Sequence, residues 1–184
     1  FTEDNEMAAH QVVHALMERG FTRIGFAGSP LFSAAFSERY FGFRQSCYRA
    51  GISVQTQDEW LDLLPGSDNE ETESAVLRHL ERQKELPEAF FCGNDLLAVT
   101  LAKVFRRNGV RVPEDISLVG VDFNQLGQMA EPRLTTVDIG CSRQVEAAVE
   151  QLIAFIETNT YKPARVLLPT ALRWGDSIGT KRPC

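Results

Sequence analysis

An α/β fold, built on a doubly wound and mostly parallel sheet, is predicted by three observations. Two short apolar runs, Ala89–Cys92 and residues 116–121, bracket a helical pattern over Asp95–Arg107. A helix between two strand-length runs is the βαβ unit of a parallel sheet. Further short apolar runs followed by longer amphipathic stretches flank this unit, at residues 23–27, 60–64 and 134–139. Both runs of the central unit end in a polar side chain, Asn94 in one and Asp122 in the other. The carboxyl ends of parallel strands share one rim, and ligands bind there. Two hydrogen-bonding groups from distant parts of the sequence are therefore expected to converge on one cleft.

The chain in order supports each element. Asp4 or Asn5 caps a first helix, with Glu6 in its first turn. Ala9, Val12, Val13 and Leu16 share its apolar face, and Gly20 ends it. His10 and His14 stand at i, i+4, a zinc-capable spacing. The Glu of an H-E-x-x-H motif and a third ligand are missing, so both are read as solvent-facing. Neither a metal nor a cofactor is expected.

Residues 23–27 (RIGFA) form the next strand, followed by the loop GSPLFSAAF. Its glycines do not make G-x-G-x-x-G, which argues against a nicotinamide site. A helix is expected from Ser37 or Glu38 to Tyr48, stopped by Gly51. That start puts Arg39 in a first helical turn, where a cation opposes the helix dipole. An oxygen-rich ligand or an acidic neighbour would compensate it; the alternative is a solvated arginine.

A short strand over residues 60–64 and a loop over 65–69 lead to a helix over 70–83, with Ala75, Val76, His79 and Leu80 at core-facing spacing. After the central unit comes a loop over 123–133, long enough to suggest function. Leu126 and Met129 within it are exposed apolar groups unless a partner covers them. A strand over 134–139 and an amphipathic helix over 143–157 follow, with Val145, Ala148, Val149, Leu152 and Ile156 on one face. A last strand pair, 166–168 with 171–174, is expected around Pro169, and then a polar, loose tail.

Composition sets outer bounds. At 184 residues the chain can bury one good core or two small ones. Its 43% apolar and 24% charged residues are those of a soluble globular protein. No apolar run approaches the roughly 18 residues that span a bilayer, so no membrane partner is expected. Cys47, Cys92, Cys141 and Cys184 are scattered without C-x-x-C, which fits reduced thiols in a cytoplasmic protein. The net charge is −6. Arg106, Arg107 and Arg111 form the one local basic cluster, and they sit at and after a helix C-terminus, where cations suit the macrodipole. This chain alone is not expected to bind DNA.

The words of the central unit, FFCGNDLLAVTLAKVFRRNGVRVPEDISLVGVD, resemble the effector-binding core of the lac-repressor (LacI/GalR) family of bacterial transcription regulators. FTRIGFAGSP, SERYFGFRQSCYRAGI and EPRLTTVDI agree with it in order and spacing. The resemblance implies a Rossmann-like lobe of a periplasmic-binding-protein-like type I fold, with part of a second lobe. It implies that Arg39, in the R-x-x-G-F pattern, hydrogen-bonds the effector. It assigns Asn94 to the effector, with Asp95 as the cap, and gives Asp122 two sugar hydroxyls. Ser33, Phe36 and Asp68 are further effector-site candidates, Asp68 having a plain turn as its alternative. A homodimer is implied through Leu97, Leu101, Leu126 and Met129.

Family members carry an N-terminal helix-turn-helix headpiece, so the chain is expected to be partial. Residues 5–133 and 164–178 would form one lobe, and 134–160 would belong with an otherwise missing lobe. The apolar stripe of the 143–157 helix would then pack on another molecule or be displaced. The implied function is effector sensing that alters operator binding by the headpiece. A periplasmic-type sugar-binding protein of a transporter is the alternative. No G-x-S-x-G, H-E-x-x-H or P-loop appears, so an enzyme is not expected. NQLGQMAEPRLTTV and LRWGDSIG resemble the gluconate-repressor branch, which suggests a sugar acid such as gluconate.

Overall fold

The computed structural model describes residues 2–66, 69–160 and 165–180, with the backbone only at Asn69. The expected site residue Asp68 lies outside the described residues. In chain order the elements are β1 (Thr2–Glu3), α1 (Asn5–Glu18), β2 (Ile24–Ala27), α2 (Ala34–Arg49), β3 (Glu59–Trp60), α3 (Asn69–Arg82), β4 (Ala89–Cys92) and α4 (Asp95–Arg107). They continue with β5 (Ser117–Val121), α5 (Gln125–Met129), β6 (Thr135–Asp138), α6 (Cys141–Thr158), β7 (Leu167–Leu168) and β8 (Ala171–Arg173). A 3₁₀ turn, Thr56–Asp58, precedes β3.

Among the described residues the main sheet has the order β3-β2-β4-β5-β6-β8. All its pairs are parallel except β6 with β8. Side chains alternate across it. Ile24, Phe26, Ala89, Phe91, Val119, Val121 and Val137 face α1 and α2. Ala27, Phe90, Cys92 and Leu118 face α3 and α4. The sheet is thus covered on both faces, as parallel sheets require. The chain runs from β2 outward to β3, then crosses back to β4 on the other side of β2. That reversal makes a switch point at the carboxyl ends of β2 and β4, where open α/β sheets bind ligands.

Several elements depart from expectation. Helix α2 starts at Ala34, three residues early, because extended Ser33 caps it by accepting from the Phe36 N–H at 3.3 Å. Arg39 therefore lies beyond the first turn. Strand β3 is two residues long, since the chain turns away after Trp60. The 123–133 loop holds α5, capped by Asn124, which accepts from Gly127 N at 3.0 Å. β7 and β8 do not pair with each other: β7 joins β1, and β8 joins β6.

The strand at 134–139 does not stand apart with a missing lobe. As β6 it is an interior strand of the main sheet, with Thr135 and Thr136 fully buried. The polar tail is not loose through residue 180. Buried Ser177 donates to Leu118 O at 2.6 Å and accepts from Thr135 N at 2.9 Å, and Gly179 N donates to Ser117 Oγ at 3.0 Å. Helix α6 has no buried residue; Val145, Val149, Leu152, Ile153 and Ile156 are all exposed. Its own chain does not shield its apolar stripe.

Candidate functional site

Arg39 is the hub of the carboxyl rim. Its side chain reaches from α2 over the switch point and is nearly closed off, at 3% exposure. Nε donates to Asn5 Oδ1 at 2.7 Å, one terminal nitrogen to Gly93 O at 2.7 Å, and the other to Glu3 Oε1 at 3.2 Å. Asp122 Oδ1 stands 3.7 Å from the nitrogen that holds Gly93. The Phe36 ring lies 5.8 Å from the guanidinium and packs against Gly93, where a Cβ would sit 2.3 Å from the ring. Only glycine leaves room for that ring, so the arginine reaches the backbone at the end of β4.

Asp122 ends β5 in an unusual conformation. Its φ is 121° and that of Phe123 is 56°, both in the region that L side chains avoid. The Asp122 N–H still bonds Val137 O at 2.9 Å, so the turn is anchored to β6. Its carboxylate is 29% exposed and faces the rim. Burial pushes its pKa up to about 6, against the lowering pull of Arg39, and the nearby charges of Asp95 and Glu3 add to the rise. Arg39 has its own pKa lowered by burial, offset by Asp122 and Glu3. Glu3 feels burial upward, but its backbone hydrogen bond and Arg39 leave it below its ordinary value. One cation thus stands among several carboxyl groups.

The other expected residues fall as follows. Asn94 sits at the rim between β4 and α4, and its oxygen accepts from Leu97 N at 3.0 Å. Asn94, not Asp95, is the helix cap. Asp95 is fully buried and accepts from Thr136 Oγ and, at 3.0 Å, from Asn124 N. Ser33 is an exposed cap and Phe36 a buried wall beneath Arg39. Leu97 and Leu101 cannot form a dimer surface, because both are fully buried on the core face of α4. Leu126 and Met129 are exposed, Met129 to 82%.

The basic cluster is largely spent within the chain. Arg107 bonds Glu73 at 2.9 Å and Arg111 bonds Asp115 at 2.6 Å. His10 and His14 are exposed, and no metal-binding cluster occurs among the described residues. Burial raises the thiol pKa of Cys47 to about 12 and also that of Cys92. No described helix is long and apolar enough to cross a membrane. The sequence reading missed Glu3 and Asn5 as partners of Arg39. The polar cluster at the start of α1 gave only a capping signal.

The comparisons agree with this architecture. A model of the periplasmic binding protein-like domain matches residues 13–178. The NTD biosynthesis operon regulator NtdR of Bacillus subtilis is 32% identical over 171 residues, covering 92% of this chain and 50% of that protein. The HTH-type transcriptional regulator CelR of Thermobifida fusca is 30% identical over 169 residues, covering 92% and 48%. A solved CelR–cellobiose complex superposes with a TM-score of 0.83 at 27% identity, covering 95% of this chain and 52% of that one. The chain spans about half the length of these curated relatives. It belongs to the periplasmic binding protein-like domain family, in the form that serves LacI-type regulators as their effector-binding domain.

Proposed function

We propose that this chain is the effector-sensing part of a bacterial, cytoplasmic LacI-type transcriptional regulator, and that its ligand is a polyhydroxylated small molecule bound over Asp122 and Asn94. The observation that carries this reading is the convergence of Arg39 and Asp122 on the switch point, 3.7 Å apart, with the Asp122 carboxylate open to the rim. A carboxylate there accepts two hydroxyls. Asn94 uses its amide oxygen on Leu97 N, and its amide nitrogen makes no hydrogen bond among the described residues, which leaves a donor for a ligand. The likeness to a regulator solved with cellobiose supports a sugar.

Between a neutral sugar and a sugar acid such as gluconate, the electrostatics favour the neutral one. The donors of Arg39 are committed to Asn5, Gly93 and Glu3, and Glu3, Asp95 and Asp122 surround it. An added carboxylate would meet more negative than positive charge. The chain acts without catalysis and reaches operator DNA only through a headpiece elsewhere in a longer protein. Exposed Leu126 and Met129 on α5 suit a homodimer contact. In a protein of the relatives' length, a further lobe would cover the bare stripe of α6.

Calorimetric titration of the protein with neutral mono- and disaccharides and with gluconate tests the reading, with Asp122→Asn as the site variant. Binding of a neutral sugar, weakened at least about tenfold by the variant, is expected. Gluconate binding alone would reverse the ligand choice. Binding indifferent to Asp122→Asn would remove the site.

A further inference from the structure

Among the described residues two acidic groups are closed off from solvent, Asp58 and Asp95. Asp58 is paired with Arg23, whereas Asp95 has no cation at hydrogen-bond distance and the ligand reading gives it no task. It is the first residue of α4, yet its side chain leaves that helix. It passes behind the end of β5 and meets β6 and the turn that follows Asp122. One carboxylate oxygen accepts from Thr136 Oγ. The other accepts from Asn124 N at 3.0 Å, and the Phe123 N–H also points into the group, lying 3.4 Å from Thr136 Oγ. Successive N–H groups turned inward by a left-handed residue form a concavity that suits an anion. Here the protein fills that concavity with its own carboxylate.

The surroundings are shaped to the carboxylate. A Cβ at Gly120 would lie 2.2 Å from Asp95 Oδ1, and one at Gly127 would lie 3.0 Å from Oδ2. Two glycines, one in β5 and one in α5, thus leave room for this group. The backbone that it grips is the strained one, with φ of 121° at Asp122 and 56° at Phe123. Such conformations persist only where neighbours hold them.

We infer that Asp95 is a positioning residue for the ligand site: through the Phe123 and Asn124 N–H groups and Thr136 it holds the left-handed turn that presents the Asp122 carboxylate to the rim. The inference rests on the proposed ligand reading for its functional consequence, though not for the turn itself. Asn94 and Asp95 then divide the work at one junction. Asn94 caps the helix beside the ligand, while Asp95 fixes the carboxylate from behind.

The test is Asp95→Asn, an isosteric change that leaves one acceptor where two are used. NMR would follow the Phe123 and Asn124 amides and the Asp122 carboxyl carbon, and titration would follow whichever sugar the unaltered protein binds. Faster amide exchange at Phe123 and Asn124 is expected, as is a lower Asp122 midpoint, because a neighbouring like charge is gone. Sugar affinity should fall about tenfold or more as the turn relaxes. Thr136→Val, which leaves the Asp95 charge in place, should speed the same amides and weaken affinity, and Thr136→Ser should restore both. A merely structural role would lower the melting temperature and leave amides and affinity in place; that result would overturn the inference. Unchanged amides with altered affinity would overturn it too. If the unaltered protein binds no sugar, the ligand reading fails by itself, and the amides still decide whether Asp95 holds the turn.

Discussion

Replacing Arg39 by Met should cost this protein a large part of its stability, and the cost should depend on pH. Methionine keeps the length and the apolar stem but removes the cation. Gly93 O and Asn5 Oδ1 then lose donors at 2.7 Å, and Glu3 and Asp122 lose their counter-charge. Removing one member of a buried ion pair costs about 3–5 kcal/mol, because the other charge is left unpaired. A total stability of about 5–15 kcal/mol makes that a severe loss. The sign with pH follows from the carboxyl groups. Without Arg39 the pKa of Asp122, already about 6, rises further, and that of Glu3 rises from its lowered value. A carboxyl group whose folded pKa is raised burdens the fold least below its unfolded value and most above its folded one. The deficit of Arg39→Met should therefore shrink between pH 7 and pH 5.

Urea unfolding of the unaltered chain, Arg39→Met, Asp122→Asn and the double variant, at both pH values, measures this. Asp122→Asn alone should be mild, since its environment already favours the neutral form. The double variant should recover about 1–2 kcal/mol of the Arg39→Met loss, as coupled neighbours do. A deficit under about 1 kcal/mol at pH 7, or one equal at both pH values, would refute the claim that Arg39 neutralises this rim. The outcome also governs how binding data are read. Lost binding in an Arg39 variant reports a collapsed rim as readily as a lost contact, whereas Asp122→Asn tests the contact.

Two further outcomes are expected. Sugar binding should strengthen from pH 5 to pH 7.5, because Asp122 titrates near pH 6 and its ionised form is the stronger acceptor; isothermal titration should show the slope, and Asp122→Asn should flatten it. Ser177→Ala should lower stability by about 1–3 kcal/mol in urea melts, since it strips a buried bond from both Leu118 O and Thr135 N; a loss within measurement error would mean that the tail is not pinned there.

Much of the fold was legible from local pattern. The strand Ala89–Cys92, the helix Asp95–Arg107 and the polar residues that end each strand follow from residue spacing, and the described structure reproduces those bounds. Helix α1 with its Asp4 cap is local in the same sense. The misses are non-local. Residues 134–139 read as a strand in either case, but only pairing with β5 and β8 assigns that strand to the main sheet. Leu97 and Leu101 look like any apolar helix positions until packing shows which face is covered. The tail looks polar and loose because the partners of Ser177 are 42 and 59 residues away.

The sequence by itself determined the α/β class, the order of its central units and the nomination of Asn94 and Asp122, because spacing and strand ends are properties of a few adjacent residues; Arg39 was nominated by the resemblance of its R-x-x-G-F pattern. Tertiary structure alone decided what those residues do to one another. It brought Glu3 and Asn5 onto Arg39 across more than thirty residues of chain. It turned Asn94 into the cap and sent Asp95 behind the Asp122 turn. It left the stripe of α6 bare. A charge acquires a partner, and an apolar face its cover, only when distant segments meet, and that meeting is a property of packing rather than of local sequence.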